Sequence, residues 1–167
     1  MKTEAEFKTL FKKSVRAAKG TSISLAAPML VGIPDLWVAI PGYLPILLEA
    51  KFLGEFKREK FSRKVPFTPM QVNWIRECDD VCPYSAMGLV GFYYKELLRA
   101  ALIKYGTPLF YNFTQTFQVD CAHTTYNYTK KAFDIFDLFA KVPVPRIYSV
   151  PVMSHMDIQH GEISKAI

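Results

Sequence analysis

The sequence predicts one α/β (α+β) domain built in the order helix, three strands, helix, strand. An amphipathic segment over 2–18 predicts the first helix, and near-continuous apolar stretches between residues 21 and 51 predict strands covered on both faces. The third observation is a strong helix start at Thr68, followed by an apolar run over 85–94. With 167 residues, of which 50% are hydrophobic, the chain is long enough for one compact domain with a core.

The first helix is predicted to have an apolar face and a basic face. At about 100° per residue, the apolar face carries Phe7, Leu10, Phe11, Ser14, Val15 and Ala18. The other side carries a stripe of Lys8, Lys12, Arg16 and Lys19. A solvated surface explains this stripe, and so does a surface that follows a phosphate backbone. Gly20 is expected to end the helix.

Three strands are predicted over 21–27, 34–40 and 44–51, and the second and third form a hairpin. Asp35 and Glu49 lie seven residues either side of Gly42, so a turn centred on Pro41-Gly42 makes them cross-strand neighbours, roughly 4.5 to 5.5 Å apart at Cβ. Lys51 points to the same face, because side chains two residues apart on a strand share a face. Charges buried among apolar neighbours need a partner, and for these two acids we expect a hard divalent cation.

A charged segment over 52–66 follows the third strand and is predicted to be a loop. Its basic residues are Lys57, Arg58, Lys60, Arg63 and Lys64, against the acids Glu55 and Glu59. Such a run is typical of a solvated loop, but its place directly after the two acids and the lysine favours contact with DNA phosphates.

The second helix begins with a capping box. Thr68 is the predicted N-cap, Pro69 the first helical residue, and Gln71 the partner that completes the box. A strand over 85–94 and a helix over 96–105 follow. Beyond Gly106 we expect a strand over 109–119, a helix over 130–141 and an extended proline-rich tail.

Several of these residues resemble a known family. Pro34-Asp35, then thirteen residues, then Glu49-Ala50-Lys51 resembles the signature of the PD-(D/E)XK nuclease superfamily. Together with "GIPDL" and "FTPMQVNWI", the pattern is most similar to the virus-type replication-repair nucleases (VRR-NUC), which are related to archaeal Holliday-junction resolvases. The resemblance implies a restriction-endonuclease-like α-β-β-β-α-β core, with a mixed central sheet flanked by helices, over 1–106. Residues 107–167 would form a C-terminal extension, packed on the core or at a dimer interface.

The resemblance also implies the site. Asp35 and Glu49 would bind Mg²⁺, which Mn²⁺ can replace, together with the backbone carbonyl of Ala50. Lys51 would orient or deprotonate the attacking water, or it would simply form an ion pair with Glu49 or Asp35. Gln71 would lie close to the metal, a role that can coexist with capping.

Glu4 is the remaining candidate of this site. The resembling families often carry an active-site glutamate on the first helix, followed by apolar residues at the offsets that Phe7, Leu10 and Phe11 occupy here. Glu4 would then complete the metal site or bind a second ion. An acid that interacts with the helix dipole explains it equally well.

The expected function is that of a metal-dependent endodeoxyribonuclease acting on junctions, flaps or other branched DNA, in replication, recombination or repair of a phage or mobile element. The alternative is a non-catalytic nucleic-acid-binding or virion-associated protein on a degenerate nuclease fold. A net charge of +6 and a pI near 9.2 suit a polyanionic partner, and cutting a junction symmetrically implies a homodimer. No membrane association is expected, and the opening segment lacks a secretory pattern, so we expect a cytoplasmic protein, in the host cytoplasm if viral.

The three cysteines leave two interpretations open. They can be free thiols, or Cys78, Cys82, Cys121 and His123 can supply a structural zinc site, although their spacing is not that of the usual zinc motifs.

Overall fold

The chain folds into a mixed α/β structure with a mostly antiparallel central sheet flanked by helices. The structure, a computed structural model, describes residues 3–25, 32–57, 61–114, 117 and 121–142. The described helices are α1 (Glu4–Ala17), α2 (Pro69–Val81), α3 (Pro108–Tyr111) and α4 (Ile135–Ala140). The described strands are β1 (Thr21–Ser24), β2 (Leu36–Ala39), β3 (Ile46–Phe56), β4 (Ser62–Lys64), β5 (Ala86–Tyr94), β6 (Leu97–Ile103), β7 (Asn112–Thr114), β8 (Ala122–Asn127) and β9 (Ala132–Phe133).

Seven of these strands form the central sheet, in the order β1-β2-β3-β5-β6-β8-β9. Neighbouring strands of this sheet pair antiparallel, except β3 and β5, which pair parallel. A parallel neighbour needs a crossover connection, and here the connection carries α2. The two remaining strands, β4 and β7, pair with each other in a small separate sheet.

The first helix forms with the predicted apolar face. Phe7, Phe11 and Val15 are fully buried, and a capping box between Thr3 and Glu6 satisfies donors at the helix start. The helix packs on the face of the sheet from which Leu48 also projects.

The hairpin between β2 and β3 has the predicted register. Leu36 pairs with Leu48 and Val38 with Ile46, so the turn is centred on Gly42, whose φ of 85° suits glycine. The prediction of a loop over 52–66 is wrong at both ends, because β3 continues to Phe56 and β4 begins at Ser62.

The predicted helix over 96–105 is also wrong, because this segment is strand β6. Both faces of the central strands are covered, so Leu98 and Leu102 are buried in one core while Ala101 and Ile103 are buried in the other. A run that is apolar on both faces cannot be told from a buried helix by periodicity alone. The hairpin turn before it, at Lys95-Glu96, has positive φ at both residues but lacks the Gly or Asn that usually marks such a turn.

Beyond Gly106 the predicted elements differ from the observed ones. The predicted strand over 109–119 starts instead as helix α3 and becomes strand only at β7, and residues 115–116 and 118–120 lie outside the described residues. The predicted helix over 130–141 is reduced to α4, capped by Asp134, and strand β8 was not predicted. The proline-rich tail, from 143 onward, lies outside the described residues.

The described part of the predicted C-terminal extension contributes to the same sheet and core. Strands β8 and β9 extend the central sheet, and Phe133 N donates a hydrogen bond to Ser14 Oγ at 2.9 Å. The ring of Phe133 lies 6.1 Å from that of Phe7, centroid to centroid. On the opposite face of the sheet, Phe92, Phe113 and Phe117 pack together in a second core.

None of the helices in the described part of the chain is both long enough and apolar enough to span a bilayer.

Candidate functional site

Two carboxylates face each other where the β2–β3 hairpin opens. One step beyond the pair Leu36–Leu48, the same register places Asp35 opposite Glu49. Directly opposed residues of an antiparallel pair project from the same face of a sheet. The apolar residues of the two strands thus fix the register that brings the two acids together.

Glu49 is the centre of a buried group that also contains Lys51 and Gln71, and we call these three residues the inner group. Glu49 is only 1% exposed. Its Oε1 accepts hydrogen bonds from Lys51 Nζ at 2.7 Å and from Gln71 Nε2. Its other oxygen, Oε2, is buried and has no hydrogen-bond partner, so half of this carboxylate is available to a further cation or donor.

Gln71 reaches Glu49 because α2 starts beside the hairpin. The Oε1 atom of Gln71 accepts from Thr68 N at 2.9 Å and completes the capping box. Its amide Nε2 is then the atom that turns toward Glu49. Gln71 therefore caps helix α2 and binds the carboxylate of Glu49 at the same time.

The surroundings of Glu49 make its carboxyl group hard to ionise. Burial raises the pKa of Glu49, and the hydrogen bond and charge of Lys51 lower it again. The negative charges of Asp35 and Glu4 act in the same direction as burial, and the resulting pKa is about 7. Without a further cation, burial therefore disfavours the ionised form of this carboxyl group.

Asp35 belongs to a second and more open group with Lys8 and Glu4, which we call the outer group. Asp35 Oδ2 accepts from the backbone N of Ala50 at 3.0 Å, and Oδ1 accepts from Lys8 Nζ at 2.9 Å. Lys8 Nζ also lies 3.3 Å from Glu4 Oε1. The side chains of Asp35, Lys8 and Glu4 are 20%, 27% and 37% exposed. We call the inner and outer groups together the acidic corner.

Lys8 is the residue of the corner that the sequence did not indicate. It was assigned to the basic stripe on the far side of α1, but its side chain reaches Asp35 instead. Burial lowers the pKa of Lys8, but the hydrogen bond and charge of Asp35, together with Glu4, outweigh that effect and raise it. The available signal was its place four residues after Glu4, a spacing that favours an ion pair on a helix.

The other predicted site residues lie apart from the corner. Lys12 Nζ donates to Ser24 Oγ at 3.0 Å, and Arg16 is exposed on the same helix. Exposed Lys57 lies 3.8 Å from Glu55, while Arg63 stacks over the ring of Phe56 at 4.8 Å. Lys64, on β4, is exposed. Arg58 and Lys60 lie outside the described residues.

No preformed metal cage is present in the part of the chain that the structure describes. None of its His, Cys, Asp and Glu side chains form a group of three or more arranged to bind an ion. That statement covers Cys78, Cys82, Cys121 and His123 of the zinc interpretation, and none of the three cysteines is in a disulfide. It also covers Glu4, Asp35 and Glu49, two of which are held by Lys8.

Comparisons with known proteins do not assign the chain to a family. No protein-family model matches it, and no curated protein sequence matches it. What the acidic corner does has to follow from its own residues.

Proposed function

We propose that this protein is a metal-dependent endodeoxyribonuclease of the PD-(D/E)XK type, most like the VRR-NUC and Holliday-junction-resolvase-type enzymes. One observation carries the proposal. Asp35, Glu49, Lys51 and Gln71, the four residues of the motif resemblance, all lie in the acidic corner, where Lys51 and Gln71 both bind Glu49. The convergence of four residues that are spread over 37 positions of the sequence supports the resemblance over a chance match of short motifs.

The order of elements supports the same proposal. Helix α1, strands β1 to β3, helix α2 and strand β5 follow the α-β-β-β-α-β order of a restriction-endonuclease-like core. The central sheet is mixed, because β3 and β5 are parallel while β1, β2 and β3 are antiparallel. The short strand β4 is an addition between β3 and α2, and it lies in the separate sheet.

The residues of the corner suit a hard divalent cation. Carboxylate and carbonyl oxygens are the ligands that Mg²⁺ and Mn²⁺ prefer, and the buried Oε2 of Glu49 lacks the partner that a buried carboxylate oxygen needs. Asp35, Glu49 and the carbonyl of Ala50 would hold the ion, with Glu4 as a further ligand. When bound, Mg²⁺ would supply positive charge beside the scissile phosphate and increase the acidity of the attacking water.

The protein's own groups have separate tasks in this proposal. Lys51, as an ammonium group, orients the attacking water and balances negative charge near the phosphate. The ion pair of Lys51 with Glu49 is also what a purely structural role of Lys51 would require. In this proposal the same ion pair holds the ammonium group beside the reacting atoms. Gln71 holds one oxygen of Glu49 in place and so leaves the other oxygen available.

The DNA would lie along the basic surfaces on either side of the corner. Lys8, Lys12 and Arg16 are spaced four residues apart and share one face of α1, so the positive stripe continues outward from the corner. Arg63 and Lys64 on β4 are exposed, together with Lys57, and phosphate contacts of this kind position DNA without reading its sequence. Structure-selective cutting of junctions, flaps or branched DNA, by a homodimer where two strands are cut symmetrically, is the activity that we propose.

One observation favours a second candidate function. Glu49 is almost fully buried, and in a non-catalytic nucleic-acid-binding protein on the same fold it would need no access to substrate. In that case the ion pair of Lys51 with Glu49 only stabilises the hairpin. The two candidates make opposite predictions for cleavage and the same prediction for DNA binding.

A cleavage assay tests the proposal. The wild-type chain is incubated with labelled four-way junctions, flaps, and nicked and linear duplexes, in Mg²⁺, in Mn²⁺ and in chelator. We expect metal-dependent cleavage of at least one substrate, and a loss of about 100-fold or more for Lys51→Met. Lys13→Met removes an exposed lysine of α1 and is the matched control, with cleavage close to wild type.

DNA binding in the absence of cleavage, on all substrates and in both metals, would favour the non-catalytic candidate. Lys51→Met that cleaves as fast as wild type would remove Lys51 from the mechanism. A circular-dichroism melting curve for each variant separates loss of activity from loss of the fold.

A further inference from the structure

Lys8 lies between two of the three acids of the corner. Its ammonium group is 2.9 Å from Asp35 Oδ1 and 3.3 Å from Glu4 Oε1. No exposed surface ion pair elsewhere in the described residues joins one lysine to two acids. Lys8 is thus placed where a cation shared by Asp35 and Glu4 would be.

The charges of the corner give this position a specific meaning. If Glu49 is ionised, as it would be beside a bound cation, the carboxylates of Glu4, Asp35 and Glu49 are opposed by the ammonium groups of Lys8 and Lys51, which leaves one negative charge. If the ammonium of Lys8 moved away, two negative charges would remain, and these equal the charge of one divalent cation. The buried Oε2 of Glu49, which has no hydrogen-bond partner, is an independent observation that the corner can accept a cation.

Lys8 can leave the corner without disturbing the fold. Its side chain is 27% exposed, and a lysine side chain is long and flexible enough to carry its ammonium into water while its stem stays in place. Lys51 lacks this freedom, because it is buried and held by buried Glu49. The two lysines therefore differ in which of them a metal ion could displace.

We propose that Lys8 is an internal counterion of the metal site, which holds Glu4 and Asp35 in the metal-free protein and is displaced from them by a divalent cation. The inference rests on the proposed function, because it assumes that these acids bind a metal. It adds that Lys8 competes with the metal and limits its affinity. The proposal also explains why Glu4 and Asp35 do not form one cluster with Glu49. In the metal-free protein these two acids are held by the ammonium group of Lys8.

The test is a titration of the chelator-treated protein with Mn²⁺. Binding is measured by calorimetry and by the electron paramagnetic resonance signal of free Mn²⁺. We expect Lys8→Met to bind Mn²⁺ about tenfold or more tightly than wild type, because a competing positive charge beside the carboxylates is gone. Lys13→Met, which removes the same charge from an exposed position of the same helix, should change the affinity less than about twofold. A merely structural lysine would have the opposite effect, since its removal would loosen the site and weaken binding.

Thermal unfolding is the second readout. In chelator, Lys8→Met should unfold at a lower temperature than Lys13→Met, and saturating Mn²⁺ should close that gap. Lys8→Arg keeps the charge, so it should bind Mn²⁺ no more tightly than wild type, and Lys8→Gln repeats the test if the methionine variant fails to fold.

The outcomes separate this inference from the proposed function. Mn²⁺ binding by wild type with equal or weaker binding by Lys8→Met and Lys8→Gln would overturn the role of Lys8 alone. Failure of wild type and every variant to bind Mn²⁺ would overturn the metal site and the role of Lys8 together.

Discussion

The inner and outer groups of the acidic corner place similar charges in different surroundings. Each contains a carboxylate of the hairpin and a lysine bound to it, Glu49 with Lys51 and Asp35 with Lys8. The inner pair is buried, with Glu49 only 1% exposed, whereas the side chain of Asp35 is 20% exposed. The pKa of Glu49 is raised to about 7, while the lysine of the outer pair has its pKa raised by the acids around it.

This contrast in burial lets one hairpin give its two facing carboxylates separate tasks. Burial keeps the inner group rigid, and its only unsatisfied oxygen is Oε2 of Glu49. Exposure lets the outer group exchange its cation. Pairs of acids in unequal environments are common at functional sites, which supports the proposed metal site.

The largest expected effect is on catalysis. Asp35→Asn and Glu49→Gln should each lower Mg²⁺-dependent cleavage by about 1000-fold, because loss of a metal ligand costs several kcal/mol in the transition state. Glu4→Gln should lower it by about tenfold or more if Glu4 completes the metal site, and hardly at all if Glu4 only interacts with the helix dipole. Single-turnover cleavage rates measure all three.

Glu77→Gln is the matched control for these variants, because Glu77 is an exposed acid on α2. Its cleavage rate should equal that of wild type. A wild-type cleavage rate for Asp35→Asn would contradict the role of Asp35 as a metal ligand, and a wild-type rate for Glu49→Gln would contradict that of Glu49.

The second effect is a pH dependence of stability that belongs to the inner group alone. The pKa of Glu49 is about 7 in the folded protein and 4.5 as the ordinary value, so between these values the folded state binds more protons than the unfolded state. The free energy of unfolding should therefore fall as pH rises through this window, by about 3 kcal/mol for this group. The contribution is fully present below the window and lost above it.

Denaturant unfolding of wild type and Glu49→Gln in chelator, across the same pH range, isolates this contribution. The difference between the two free energies of unfolding should change by the amount stated and level off at both ends. A difference that stays constant with pH would mean that Glu49 ionises as readily as an exposed acid.

The third effect concerns the link between α2 and the inner group. Gln71→Ala removes both the acceptor for Thr68 N and a donor to Glu49, and should lower the free energy of unfolding by about 1–2 kcal/mol. Asn73→Ala, an exposed position of the same helix, should change it by less than about 0.5 kcal/mol. Equal effects of the two substitutions would show that neither the cap nor the bond to Glu49 stabilises the fold.

The smallest effect separates Lys8 from the rest of the basic stripe. Lys12→Gln should lower the slope of log affinity for DNA against log salt concentration by about one, because one phosphate contact is lost. It should leave stability within about 0.5 kcal/mol of wild type, since the hydrogen bond that Lys12 makes in the described residues goes to the uncharged hydroxyl of Ser24. An unchanged slope in fluorescence-anisotropy titrations would exclude Lys12 from the DNA-binding surface.

The sequence was sufficient wherever one local pattern controls the structure. The turn at Gly42 sets the hairpin register, and the Thr68 capping box sets the start of α2 and the position of Gln71. Each is a short-range signal with a defined geometry. The turn brings Asp35 opposite Glu49, whereas the contact of Gln71 with Glu49, 22 positions earlier, was expected only from the family resemblance.

The place of Lys8 in the outer group could not be predicted in the same way, because its contact with Asp35 depends on tertiary packing. Lys8 lies 27 positions before Asp35, and only the packing of α1 on the sheet brings the two together. Strand β6 was missed for a related reason: its two faces are both covered by partners distant in the chain, so its sequence carries no alternation to identify it.

The most direct test of the central claim is to restore the metal. Protein freed of metal by chelation is given Mg²⁺, Mn²⁺ or Ca²⁺, and cleavage of labelled branched and linear DNA is followed over time. We expect cleavage to appear with Mg²⁺ and Mn²⁺ and to remain absent with Ca²⁺, since Ca²⁺ binds oxygen ligands in a looser geometry. Cleavage that continues undiminished in chelator, or no cleavage of any substrate with either active metal, would contradict the claim that the acidic corner is a metal-dependent nuclease site.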